Sequence, residues 1–235
     1  LIVPYNGNST GTYNYKTDGT LRTASATPTA SGTSDIVAAS FTYPVNIPYQ
    51  NYQSTDLTIA NSVEAGRFTI RDGGEATDAD NSPTVLTSIT FSIVNGSFIR
   101  SVALYDGAIE LGEAAPVGGT VSFTGLNLSA PDNSSKIFSV RVSFNAEVTD
   151  NAQFSFTVTS ATAQVGNSGF AAANAGGAVT STAGDNNRIE VTAAKIVYTV
   201  QPPPLVGVNT DVSPAPALDA LDALNNKDLD YASAV

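Results

Sequence analysis

The 235 residues include no His, Cys, Met or Trp. That excludes disulfides, thiolate nucleophiles, zinc–thiolate sites, imidazole bases and any Ser-His-Asp triad. Acidic residues outnumber basic ones 21 to 10, a net charge of −11 that repels nucleic acid and anionic membrane surfaces, so neither is an expected partner. Charged residues make up only 13% of the chain, while Ser, Thr, Asn, Gly and Val are abundant, which is an all-β composition. No run approaches the roughly 18 apolar residues of a membrane span, so no membrane insertion is expected.

Residues 1–33 are rich in Tyr, Thr, Gly and Asn. They read as the end of a preceding module or an N-terminal strand segment, with Leu1-Ile2-Val3 strand-like. An aromatic cluster follows: Phe41, Tyr43, Tyr49 and Tyr52, interrupted by Pro44 and Pro48. Exposed, coplanar rings at Tyr43, Tyr49 and Tyr52 would make a carbohydrate-binding face for surface glycans. Rings packed inward would only cover the edge of a sheet.

Arg67–Ile70 reads as a strand leading into the loop 71–83. That loop places Asp72, Asp78 and Asp80 around Gly73-Gly74, and oxygen ligands on a curled backbone suit calcium. The loop is not an EF-hand, because counting from Asp78 puts Pro83 at the sixth position and Ile89 at the twelfth. The competing reading is a solvated acidic loop whose Asp side chains cap turns.

Val85, Thr87, Ile89, Phe91 and Ile93 alternate onto one face. Asn95-Gly96 then predicts a tight hairpin, Phe98–Tyr105 the returning strand, and Asp106-Gly107 a second turn into 108–113, giving a meander over 84–113. Val121 and Phe123 begin another strand. The clearest strand spans 136–148, with Phe138, Val140, Val142, Phe144, Ala146 and Val148 inward and Ser139, Arg141, Ser143, Asn145 and Glu147 outward. A turn at 149–152 would pair it as a hairpin with 153–160, where Phe154, Phe156 and Val158 face inward. Alternating strands with one wetted face and frequent turns predict an antiparallel β-sandwich.

Near the C-terminus the buried phase flips. Ile189, Val191 and Ala193 hold one phase, and Ile196, Tyr198 and Val200 hold the other, which places a junction between two cores near Ala193–Lys195. Gln201-Pro202-Pro203-Pro204 is a stiff linker. Leu218, Leu221 and Leu224 have helical spacing, but the flanking prolines and Asn225-Asn226 favour an extended edge strand. The chain thus divides into 1–33, a central module at 34–195, and 196–235 as linker and first strands of a following module. Neither end is long enough to fold alone. Each should be ordered only by strand pairing with neighbouring modules or identical subunits. Glu147 and Glu190 occupy polar strand phases and are expected to be solvated, and no glycosidase-like carboxylate pair stands out. The expectation is therefore not an enzyme.

Several segments together resemble a known repeat. They are Ser34-Asp35-Ile36, Phe41-Thr42-Tyr43-Pro44, Phe68-Thr69-Ile70-Arg71-Asp72-Gly73-Gly74, Asp78-Ala79-Asp80, Ala103-Leu104-Tyr105-Asp106-Gly107, Ala130-Pro131-Asp132-Asn133, Asn151-Ala152-Gln153-Phe154-Ser155-Phe156, Asn187-Arg188-Ile189-Glu190-Val191 and the stretch 219–231. The resemblance is to the repeat regions of very large cell-surface proteins of Bacteroidota, and it covers about residues 34–235. It implies immunoglobulin-like modules in series, export by the type IX secretion system, an extracellular cell-surface location, and a role as adhesin, gliding-type filament or scaffold. In such arrays the stretch 219–231 opens the next module. The family brings no catalytic motif to carry over.

Overall fold

The computed structural model describes residues 30–177 and 186–232. The expectations for residues 1–29, Leu1-Ile2-Val3 included, lie outside the described residues. The described chain is an antiparallel all-β sandwich with a two-stranded ribbon at its C-terminal end.

One sheet has five strands in the order β1 (Asp35–Ala38), β3 (Val63–Arg71), β8 (Ser135–Phe144), β5 (Ile99–Asp106) and β6 (Ile109–Ala114). The other has three: β7 (Thr120–Ala130), β4 (Thr84–Val94) and β9 (Ser155–Ala163). The short strand β2 (Asn46–Pro48) pairs in parallel with β10 (Arg188–Glu190). The ribbon joins β11 (Lys195–Val200) to β12 (Ala217–Leu221), so Leu218 and Leu221 are extended, as the flanking prolines predicted, while Leu224 lies in the turn that follows.

The alternation in β8 assigns its faces as expected: Phe138, Val140, Val142 and Phe144 are buried in the main core. Phe68 meets Phe138 within the five-stranded sheet at 5.5 Å and Phe91 of the opposing sheet at 6.1 Å. Phe91 also stands edge-on to Phe123 and Phe156. This aromatic seam glues the two layers, since edge-to-face rings add to the burial of their area.

Three expected strand connections differ from the structure. The 84–113 meander does not form. β4 and β5 belong to different sheets, and the chain crosses between layers at Asn95, whose left-handed φ of 55° leads into a short 3-10 turn, Gly96–Phe98. Asn-Gly supplied the positive φ that a hairpin needs, but a sheet-to-sheet crossing uses the same conformation. Likewise β8 and β9 do not pair. Phe144 and Phe154 face each other across the sandwich at 5.6 Å, because the segment after Phe144 also crosses between layers. Of the expected hairpins, β5–β6 forms, and its turn lies one residue later than expected, at Gly107-Ala108, with Asp106 opposite Ile109.

The alternation in β4 is also broken. A bulge between Leu86 and Ser88 puts Leu86 in the core with Ile89, Phe91 and Ile93, while the Thr87 hydroxyl donates outward to the Thr162 carbonyl. A bulge adds one residue and inverts the phase upstream of it.

The outer face of the five-stranded sheet is not simply wetted. Leu57, Ala103 and Tyr105 form a small second cluster under the loop 52–62. Arg141, expected outward, is held beneath that loop. Its guanidinium donates to Ser62 Oγ at 2.9 Å and to the carbonyls of Ile59 and Ser62 at 2.9 and 2.6 Å. Burial lowers the Arg141 pKa, opposed by the Glu64 charge.

Candidate functional site

The aromatic cluster does not make a sugar platform. Pro48 ends β2 and the chain turns at once into a 3-10 turn, Tyr49–Asn51, which drives the Tyr49 ring into the core. Tyr49 is wholly buried, and Tyr52 is half-buried against the same core. Tyr43 instead pairs edge-on with Phe41 at 4.9 Å, and the Arg67 guanidinium lies over the Phe41 ring. The three tyrosines therefore share no exposed plane, which corrects the expectation of a glycan face at Tyr43, Tyr49 and Tyr52.

The acidic loop brings together Asp72 and Asp78, but with Asp132 as third member in place of Asp80. One carboxylate oxygen from each lies within 4.8 Å of the others. Asp72 is buried, and both its oxygens are engaged. Oδ1 accepts from the Thr84 hydroxyl at 2.6 Å, and Oδ2 accepts from the Asn133 N–H at 2.8 Å. Asp80 is turned away into a serine pocket, accepting from the Ser31 N–H, from the Ser82 N–H at 2.8 Å and from the Ser168 hydroxyl at 2.8 Å. Burial works against its ionisation, yet these donors together hold its pKa below the ordinary carboxylate value. The loop is thus tied mainly by donors from other segments, at Ser31, Thr84, Asn133 and Ser168, while Ser82 alone among these donors caps a turn within it.

Gly74 fixes the loop's path. Its φ is +73°, and a Cβ there would stand 2.5 Å from the Thr33 carbonyl oxygen. Gly74→Ala is expected to cost at least about 1–2 kcal/mol, the left-handed penalty of an L-residue alone. Urea denaturation checks this, and an unchanged midpoint would show that the loop relaxes freely.

A second polar centre joins the sandwich to the segment after β12. The buried Tyr49 hydroxyl donates to Asp222 Oδ2. Asp222 Oδ1 accepts from the N–H groups of Leu224 and Asn226, both at 2.8 Å. The Asn226 side chain donates to the Ala146 carbonyl at 2.8 Å and accepts from the Val148 N–H at 3.1 Å. Burial raises the Tyr49 pKa well above the ordinary phenol value, and the Asp222 charge and hydrogen bond add to that rise. Burial opposes ionisation of Asp222, but the Tyr49, Asn226 and Leu224 donors outweigh it and lower its pKa. The segment beyond β12 therefore packs back onto the central sandwich, whereas the sequence reading had it ordered only by contacts elsewhere.

Beside this anchor, Asp150, Asp228 and Asp230 bring one carboxylate oxygen each within 4.8 Å of one another. Asp150 is only 3% exposed and bridges two chain segments, accepting from the Val191 N–H and the Leu229 N–H, both at 2.8 Å. Asp228 accepts from the Ala193 N–H at 2.9 Å. Glu190, at the end of β10, is not the solvated group its strand phase suggested. Burial raises its pKa, and Asp230, Asp150 and Asp228 raise it further against the opposing charge of Arg188.

The residues of this centre were missed by sequence reasoning. Asp150 read as part of a two-strand turn, Glu190 as an outward strand residue, and Asp222 to Asp230 as the start of another module. The available signal was the close spacing of Asp222, Asn226, Asp228 and Asp230, but nothing in the chain order says that they meet Asp150. No protein-family model and no curated protein matches this chain. Chemically, the centre offers hard oxygen ligands and a hydrogen-bonded anchor.

Proposed function

We propose that the chain is a structural repeat segment of a large secreted cell-surface adhesin or filament, non-enzymatic, in which immunoglobulin-like sandwiches follow one another. One observation carries this reading. The chain leaves the sandwich core at Val191, and the ribbon that follows turns apolar residues outward: Ile196 is 37% exposed, Tyr198 51% and Leu218 39%. Ile196 lies opposite Ala220 and Tyr198 opposite Leu218 in the ribbon, so these side chains share one face. A two-stranded ribbon is marginal alone, and such a face is what the first hairpin of a following module presents before the rest of its core is added. The many-segment resemblance to Bacteroidota surface repeats supports the same reading, with type IX export and an extracellular location. Partners would be neighbouring modules or identical subunits.

Antibodies raised against the recombinant chain are expected to label intact cells of the source organism. Labelling that requires permeabilised cells overturns the proposal.

A further inference from the structure

We propose that Asp150, Asp228 and Asp230, with Glu190 and Asn151 beside them, form a calcium site that locks the segment 222–230 onto the sandwich. The acidic cluster is not the whole argument. Asp228 Oδ1, Glu190 Oε2 and Asn151 Oδ1 each expose under 1 Å² to solvent and have no hydrogen-bond partner. Buried polar oxygens are almost always satisfied, and an unpaired buried carboxylate oxygen is costlier than a neutral one. Three orphans gathered around one carboxylate cluster mark a position where something electropositive belongs.

The protein's own cations do not fill that need. The basic group acting on Glu190 is Arg188, and its guanidinium is directed to Asn46 Oδ1 at 2.8 Å. Lys227 is engaged with Asp219, and Lys195 with Asn225 Oδ1 at 2.7 Å. Asn151 Nδ2 donates to Asp150 Oδ2 at 3.0 Å and to Asp230 Oδ2 at 3.4 Å, a neutral donor between two anions.

The donor set is all oxygen, which selects a hard cation. Two ligands of one calcium ion, each about 2.3–2.6 Å from it, stand at most roughly 5 Å apart. The 4.8 Å spread of the three aspartate oxygens meets that limit. The three aspartates come from the turn at 149–152 and the segment after β12, with Glu190 beside them at the end of β10, an assembly whose give suits calcium better than the rigid octahedron magnesium demands. The cluster at Asp72 differs in degree, holding one such unpartnered oxygen, Asp132 Oδ1, against the three beside Asp150.

The test uses the whole chain stripped with a chelator, then titrated with calcium chloride by calorimetry. Thermal melts and trypsin cleavage at Lys227 serve as further readouts. Binding at millimolar or lower calcium, a midpoint raised by several degrees and slowed cleavage at Lys227 are expected. Asp228→Asn/Asp230→Asn should weaken binding at least about tenfold and abolish both effects, while Asp78→Asn leaves them intact. Asp230 is exposed, so Asp230→Asn alone, which keeps the fold, should also weaken binding. No heat or midpoint shift at millimolar calcium overturns the proposal. So does binding that survives the double substitution, or binding lost in Asp78→Asn alone, which would assign the ion to the other loop.

Discussion

Phe144→Ala is expected to destabilise the chain by about 3–5 kcal/mol, the usual range for truncating a large buried ring. Phe144 is wholly buried at the end of β8, and its ring stands edge-on to Phe154 of the opposing layer. The loss is therefore the transfer of a ring's area, the cavity left behind and an aromatic contact across the sandwich. Ile137 provides the control on the same strand. It points to the other face and is 53% exposed, so Ile137→Ala should stay within about 0.5 kcal/mol. Denaturant unfolding of the two variants reads the faces of the sheet directly. Equal losses, or a larger loss at Ile137, would reverse the assignment of β8. A double-mutant cycle with Phe154→Ala should give a coupling of about 0.5–1.5 kcal/mol if the two rings meet as they stand here.

That strand also shows which part of the fold was legible in the chain. Period-two burial is local: each residue's face follows from its neighbours, so Phe138 to Phe144 could be placed inward without knowing the partner strands. Pairing is not local. Asn95 and the turn before Phe154 supply chain reversal, and reversal serves a hairpin or a layer crossing equally well. Only the balance of the two sheets decides between them, and here it sends β4 and β5 into opposite layers. The bulge at Leu86 was hidden for a related reason, since one inserted residue inverts a phase without any change in composition.

The candidate sites divide along the same line. Asp72 and Asp78 lie six residues apart and were read together; Asp132 joins them through the turn after β7. Asp150 and Asp228 are brought together by the return of the chain onto the sandwich after β12, so their meeting depends on the whole fold. The Tyr43, Tyr49 and Tyr52 cluster failed for a steric reason. Pro48 and the 3-10 turn after it rotate Tyr49 inward, and a sequence of aromatics does not reveal that rotation.

Asp222→Ala should release the C-terminal segment, with a loss of about 2–4 kcal/mol in the stability of its docking. The carboxylate accepts from the Tyr49 hydroxyl, two backbone N–H groups and the Asn226 amide. Each buried donor left unpaired costs about 1–3 kcal/mol, and the total is limited because the segment can detach and hydrate instead. Trypsin cleavage at Lys227 should accelerate while the Phe144 core stays folded; unaltered cleavage would show that the anchor lies elsewhere. The same pair predicts a docking strength that falls at both extremes of pH. Asp222 is depressed in the folded chain, so its contribution is present above the ordinary carboxylate value of about 3.9 and is lost as pH falls through the lower folded value. Tyr49 is raised, so its contribution is full below about pH 10 and is lost as pH rises through the higher folded value. Asp222→Asn should flatten the acid limb of a cleavage-rate profile read with an acid-active protease, and Tyr49→Phe should flatten the alkaline limb. Tyr49→Phe keeps the buried ring in place, so any change it brings belongs to the hydroxyl and to the segment that the hydroxyl holds.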